Sequence, residues 1–103
     1  MLTREIAINT AKDFINACKL EKVFFNKVIL FGSTISDDTN QNSDIDLLLI
    51  SDQFGYSKWQ NLGLIAKINK RYRLIEPHTF PTEYFLKGDP FINEIKKSGI
   101  EIS

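Results

Sequence analysis

Lys27-Val28-Ile29-Leu30-Phe31-Gly32-Ser33 runs apolar into a glycine and a serine, and after ten residues Asp44-Ile45-Asp46-Leu47-Leu48-Leu49-Ile50 follows. The first run is short, apolar and stopped by Gly32, the pattern of a strand buried on both faces. The intervening stretch, Thr34 to Ser43, is dominated by Thr, Ser, Asp, Asn and Gln and reads as a loop. The second run is a strand, apolar except at its first and third positions. Side chains at i and i+2 of a strand share a face, with Cα atoms roughly 6–7 Å apart. Asp44 and Asp46 therefore project together. Leu48 and Ile50 continue their face, so the two acids sit at the rim of a core, and Ile45, Leu47 and Leu49 point the other way.

The flanks supply helices. Thr3 can cap a helix with Glu5 in its first turn, and Ile8, Ala11, Ile15 and Cys18 recur at helical spacing to about residue 20. Ser57 to Arg71 reads as a second helix, with Trp59, Leu62, Ile65 and Ile68 along one stripe. A third strand is expected over Tyr72 to Glu76, stopped by Pro77. Thr82 can cap a short turn through Phe85. Asp89-Pro90 places an N-cap before a proline, Phe91, Ile92 and Ile95 line the following helix, and Gly99 ends it. Ile100-Glu101-Ile102 reads as a brief edge strand. Helices alternating with short strands, without repeat or linker, predict one α/β (α+β) domain over 1–103. Its expected form is a small mixed sheet of about four strands with helices packed on it.

Bulk properties narrow the function classes. The 103 residues are 43% hydrophobic and 12% aromatic, enough for a core. Lys+Arg and Asp+Glu balance at 13 each, so strong non-specific nucleic-acid binding is not expected. Lys67, Lys70, Arg71 and Arg73 read as a solvated helix end beside a strand rather than as a basic patch. The single cysteine, Cys18, excludes an internal disulfide and lies in an apolar helical pattern, where it reads as a buried structural thiol. No signal peptide or membrane-length apolar run is visible, so a cytoplasmic location is expected.

Two carboxylates this close repel unless a proton or cation lies between them. Oxygen ligands favour a hard cation, Mg²⁺ or Mn²⁺, and paired ions bridged by carboxylates drive in-line attack on phosphate. An isolated Asp-x-Asp would be explained as well by a turn cap and a lysine partner. The preceding strand changes the balance. Gly32 lets the backbone approach a ligand where the chain leaves the sheet, and Ser33 can give its amide and hydroxyl to a phosphate oxygen, with Thr34 beside it.

Gly32-Ser33, ten residues and Asp44-x-Asp46, placed strand–loop–strand, resemble the GSx10DxD signature of the DNA polymerase β-like nucleotidyltransferase superfamily, and the length resembles its minimal branch, the MNT proteins. The resemblance covers most of the chain. It implies a nucleotidyltransferase fold and a third acid on the next strand that joins the metal site and serves as base for the incoming hydroxyl. The matching position is Glu76. Metal and catalytic roles thus fall on Asp44, Asp46 and Glu76, and nucleotide binding on Gly32, Ser33 and Thr34. The cofactors implied are two Mg²⁺ ions, or Mn²⁺, with ATP or another nucleoside triphosphate as substrate. One departure stands out. Many minimal members carry a cation two or three positions after the serine, whereas here Thr34, Ile35, Ser36 and Asp37 supply none.

Three functions follow as alternatives. The first is transfer of a nucleoside monophosphate, most simply AMP from ATP, to a hydroxyl on a partner protein or on a second subunit, and the resemblance to MNT proteins implies that this partner is a HEPN-type toxin. The second is a catalytically weak antitoxin that neutralises by contact. The third is modification of a small molecule such as an antibiotic. His78, the only histidine, is expected at the rim without a chemical role, and Trp59 and the Phe25, Phe31, Phe91 group are expected in the core.

Overall fold

Alternation along the central strand divides the molecule. In the computed structural model, which describes residues 2–32 and 44–103, the elements are α1 (Arg4–Leu20), β1 (Lys27–Phe31), β2 (Ile45–Ser51), α2 (Lys58–Asn69), β3 (Ile75–Pro81), α3 (Thr82–Lys87), α4 (Pro90–Ser98) and β4 (Ile100–Glu101). The strands form one sheet in the order β3-β2-β1-β4. β1 pairs antiparallel with β2 and with β4, while β2 and β3 run parallel, with α2 between them in the chain. Among the described residues the sheet is mixed and four-stranded, as expected.

Ile45, Leu47 and Leu49 face one core with Ala7, Ala11, Phe14 and Cys18 of α1 and Ile65 and Ile68 of α2. Leu48 and Ile50 face the other, with Ile29, Ile92 and Ile95, and with Phe31, Phe80, Tyr84 and Phe85 packed alongside. Every residue of β2 from Leu47 to Ser51 is buried, because helices cover both sides of this strand.

Caps set the helix starts. The Thr3 hydroxyl accepts from the Ile6 amide at 3.1 Å, the Ser57 hydroxyl from Gln60 at 3.3 Å and the Asp89 carboxylate from Ile92 at 2.7 Å. Gly99 closes α4 for a reason other than left-handed geometry, since its φ is −78°. A Cβ there would lie 2.3 Å from Ile29 Cγ2 and 2.7 Å from the Ile95 carbonyl, so glycine is what lets β4 swing back against β1.

Four expectations need correction. Thr82 does not cap α3 but is its first residue, and its hydroxyl donates to Asp52 at 2.6 Å. β3 does not stop at Pro77 but begins at Ile75 and runs to Pro81. It is an edge strand, where proline is tolerated. Pro77 and Pro81 share the parity of Ile75, whose own N–H turns back to the Tyr72 carbonyl instead of to β2. Trp59 is not core but 86% exposed. At 3.6 residues per turn it stands about 200° around α2 from Asn61, which with Ile65 and Ile68 forms the buried stripe. Phe91 is 43% exposed and lies at the start of α4, beside Phe31 and His78, rather than inside the core.

Asn61 is a buried polar residue whose role the apolar pattern does not reveal. Its amide donates to the Gly55 carbonyl at 2.9 Å and to Thr79 Oγ1 at 3.2 Å, and its carbonyl accepts from the Gly55 amide at 2.9 Å. The loop after β2, the helix α2 and the strand β3 are thereby tied at one point. Cys18 is buried, and burial pushes its thiol up to about 12 against a lowering by the Arg71 charge, as suits a structural thiol.

Candidate active site

The candidate site lies where β1 ends and β2 and β3 begin. Phe31, the last residue of β1, pairs with Asp46, and Asp46 pairs on its other side with Glu76. Gly32 therefore leaves the sheet directly beside the Asp46 carboxylate. Its φ is +88°, a region that favours glycine, and a Cβ would lie 2.4 Å from Asp46 Oδ2 and 3.3 Å from its Cγ. The glycine is required twice, for the turn of the backbone and for the room it leaves an acid.

Ligand atoms of Asp46, Glu76 and His78 all lie within 4.8 Å of one another. The parallel register explains the grouping: Asp46 is opposite Glu76, and His78, two residues further along β3, returns to the same face opposite Leu48. His78 Nε2 is 3.3 Å from Asp46 Oδ1, with the two side chains 30% and 24% exposed. The imidazole meets the Phe31 ring edge-on at 5.0 Å between centroids, and Phe91 lies 6.1 Å away. Phe31 and Phe91 are themselves T-shaped at 5.7 Å. The imidazole is thus walled by aromatic rings on one side and open to the carboxylates on the other.

Among the residues read from sequence, the structure brings together Gly32, Asp46 and Glu76. Asp44 stands just ahead of β2, exposed, and is not one of the three whose ligand atoms cluster. Ser33 and Thr34 lie outside the described residues. His78, expected at the rim without chemistry, is partly buried and contributes the third ligand atom of the cluster. The signal for it was its i+2 spacing from Glu76, which has meaning only if the strand continues through Pro77.

Two carboxylates and an imidazole at these separations can share a divalent cation, since the cation relieves repulsion between the acids. Lys58 sits with its amine 5.7 Å from the Phe80 ring centroid. Phe80 pairs with Ile50, at the far end of β2 from Asp46, so Lys58 lies away from the carboxylates. Lys67, Lys70, Arg71 and Arg73 are exposed.

A search of curated proteins returned no match. The nucleotidyltransferase domain family matches residues 12–102, which takes in every strand of the sheet and all three members of the cluster. This chain belongs to the nucleotidyltransferase domain family.

Proposed function

We propose that this chain transfers a nucleoside monophosphate, AMP from ATP, to a hydroxyl of a partner protein, in a reaction that depends on divalent metal. Family membership supports nucleotidyl transfer in general. The observation that carries the finer reading is the meeting of Asp46 and Glu76 across β2 and β3, beside a glycine whose missing Cβ makes room for Asp46. Asp44, Asp46 and Glu76 are the residues that would hold Mg²⁺ or Mn²⁺. When bound, such ions neutralise triphosphate charge and make the α-phosphorus more electrophilic.

The chain's own residues would do the rest. Gly32, Ser33 and Thr34 receive the triphosphate. Glu76, exposed at the rim, takes the proton of the acceptor hydroxyl. The hydroxyl oxygen bonds to the α-phosphorus, the bond from that phosphorus to the bridging oxygen breaks, and pyrophosphate leaves. The open rim around Glu76 suits an acceptor presented by another protein. A HEPN-type toxin, modified on tyrosine and encoded beside this chain, is the partner proposed.

The absence of a cation among Thr34, Ile35, Ser36 and Asp37 favours a second reading, an antitoxin that neutralises by contact with a residual nucleotide site. The two separate on one experiment. The chain, Mg²⁺, ATP labelled at the α-phosphate and the product of the adjacent reading frame are combined, with wild type compared to Asp44→Asn/Asp46→Asn. Label on the partner that the double variant abolishes supports transfer. Neutralisation that survives the double variant, with no label moved, sinks transfer and supports contact.

A further inference from the structure

We propose that His78 is a metal ligand, so that Asp46, Glu76 and His78 form a mixed nitrogen–oxygen site that takes a transition-metal dication, of the Mn²⁺, Co²⁺ or Zn²⁺ class, in preference to Mg²⁺. This rests on the metal-dependent reading above and makes the cation specific. The imidazole nitrogen is no bystander to the acids. Nε2 lies 3.3 Å from Asp46 Oδ1, and all three ligand atoms fit within 4.8 Å. One small ion can touch donors so spaced with side-chain adjustments of an ångström or so.

The ring's orientation is set by packing. Phe31 holds one edge and Phe91 flanks it, leaving Nε2 aimed at the carboxylates. Two rigid parallel strands in fixed register hold the backbone of all three ligands, because Asp46 and Glu76 are paired and His78 follows two residues on. Imidazole is a poor ligand for Mg²⁺, which prefers oxygen and holds its water tightly. For the later divalent ions it is a good one, with affinity rising along the first row. A nitrogen in a site otherwise made of carboxylates therefore shifts selectivity toward those ions.

A histidine that only orients Asp46 by hydrogen bonding is the competing role, and the test separates the two. His78 is the only histidine in the sequence, so its ring signals are assigned without ambiguity. Stoichiometric Zn²⁺ added to the chain should shift the imidazole ring resonances strongly, and millimolar Mg²⁺ should leave them nearly unmoved. Co²⁺ should give d–d absorption bands that Asp46→Asn and Glu76→Gln weaken. His78→Ala should lower Co²⁺ affinity by roughly a hundredfold or more, beyond the 10–100-fold that loss of a merely orienting partner costs. It should change Mg²⁺ affinity less than about twofold.

Ring resonances of the unaltered chain that ignore Zn²⁺ would overturn the proposal, and so would a folded His78→Ala that binds Co²⁺ as wild type does. Loss of Co²⁺ affinity that His78→Gln fully restores would assign orientation, not ligation, and overturn it equally. None of these readouts uses transfer activity. A chain that binds Zn²⁺ through His78 yet moves no nucleotide keeps this inference and loses the functional one. Transfer with Mg²⁺ and a silent imidazole does the reverse.

Discussion

A single added methyl group at Gly32 would lie 2.4 Å from Asp46 Oδ2, in a backbone conformation that costs an L-residue about 1–2 kcal/mol. Gly32→Ala is therefore expected to push the Asp46 side chain from its place as well as strain the turn. The expected outcome is a modest fall in melting temperature with a loss of transfer of more than about a hundredfold, the scale set by an ångström of misplacement. Transfer at wild-type rate in a folded Gly32→Ala would show that the contact has no bearing on the site. At this scale Gly32 and Asp46 were legible in the sequence, because strand ends and i, i+2 alternation are local properties, whereas Glu76 was named only through the resemblance to the family. His78 was not legible, because its membership depends on β3 continuing through a proline. Whether it continues is decided by which side of the strand has a neighbour, and that is a fact of sheet order.

Among the elements, α2 shows what a one-dimensional pattern leaves open. Trp59 is apolar and near Leu62 in sequence, yet the stripe that meets the sheet runs through Asn61, Ile65 and Ile68. The polar Asn61 is buried because three hydrogen bonds satisfy it, and no periodicity of apolar residues would select it. Asn61→Ala leaves the Gly55 amide and carbonyl without those partners and should lower stability by about 1–3 kcal/mol, measured by denaturant unfolding. Trp59, the only tryptophan, should fluoresce with the red-shifted maximum of solvated indole and be quenched freely by iodide. A blue-shifted, protected emission would place it in a core after all.

The start of α4 carries a pH dependence. Asp89 accepts from the Ile92 amide at 2.7 Å and from the Tyr84 hydroxyl, and these bonds hold its carboxyl below the ordinary 3.8. A lowered value in the folded state means that the stabilisation is complete above the ordinary carboxylate range and fades as pH falls through and below it. Amide exchange in α4 should accordingly accelerate on acidification from neutral pH to about pH 3, relative to β1 and β2 and after correction for the intrinsic rate. Uniform protection across all three segments would contradict the cap's role.

At the scale of the molecule, β2 separates the two cores that the described residues form, and the core on the face of Asp46 lies behind the site. Leu47 faces α1 and α2, while Leu48 lies on the face of Asp46 and pairs with His78; both are fully buried. Each truncation to alanine should cost about 2–5 kcal/mol, a large share of the 5–15 kcal/mol of a typical domain. Leu48→Ala should also lower transfer under conditions where the protein remains folded, whereas Leu47→Ala should lower the melting temperature with little loss of transfer. The α/β class and the four strands could be read from the sequence, as could the caps at Thr3 and Asp89, while the Ser57 cap came from the structure. The order β3-β2-β1-β4 is non-local and came from the structure.

Whether this site moves a nucleotidyl group is decided by the fate of one phosphorus atom. The chain is incubated with divalent metal, its partner protein and ATP labelled either at the α- or at the γ-phosphate, and the label on the partner is counted. Label is expected from the α position only, and it should be lost in Asp46→Asn. Label from the γ position, or α-label undiminished in Asp46→Asn, would contradict nucleotidyl transfer at this site.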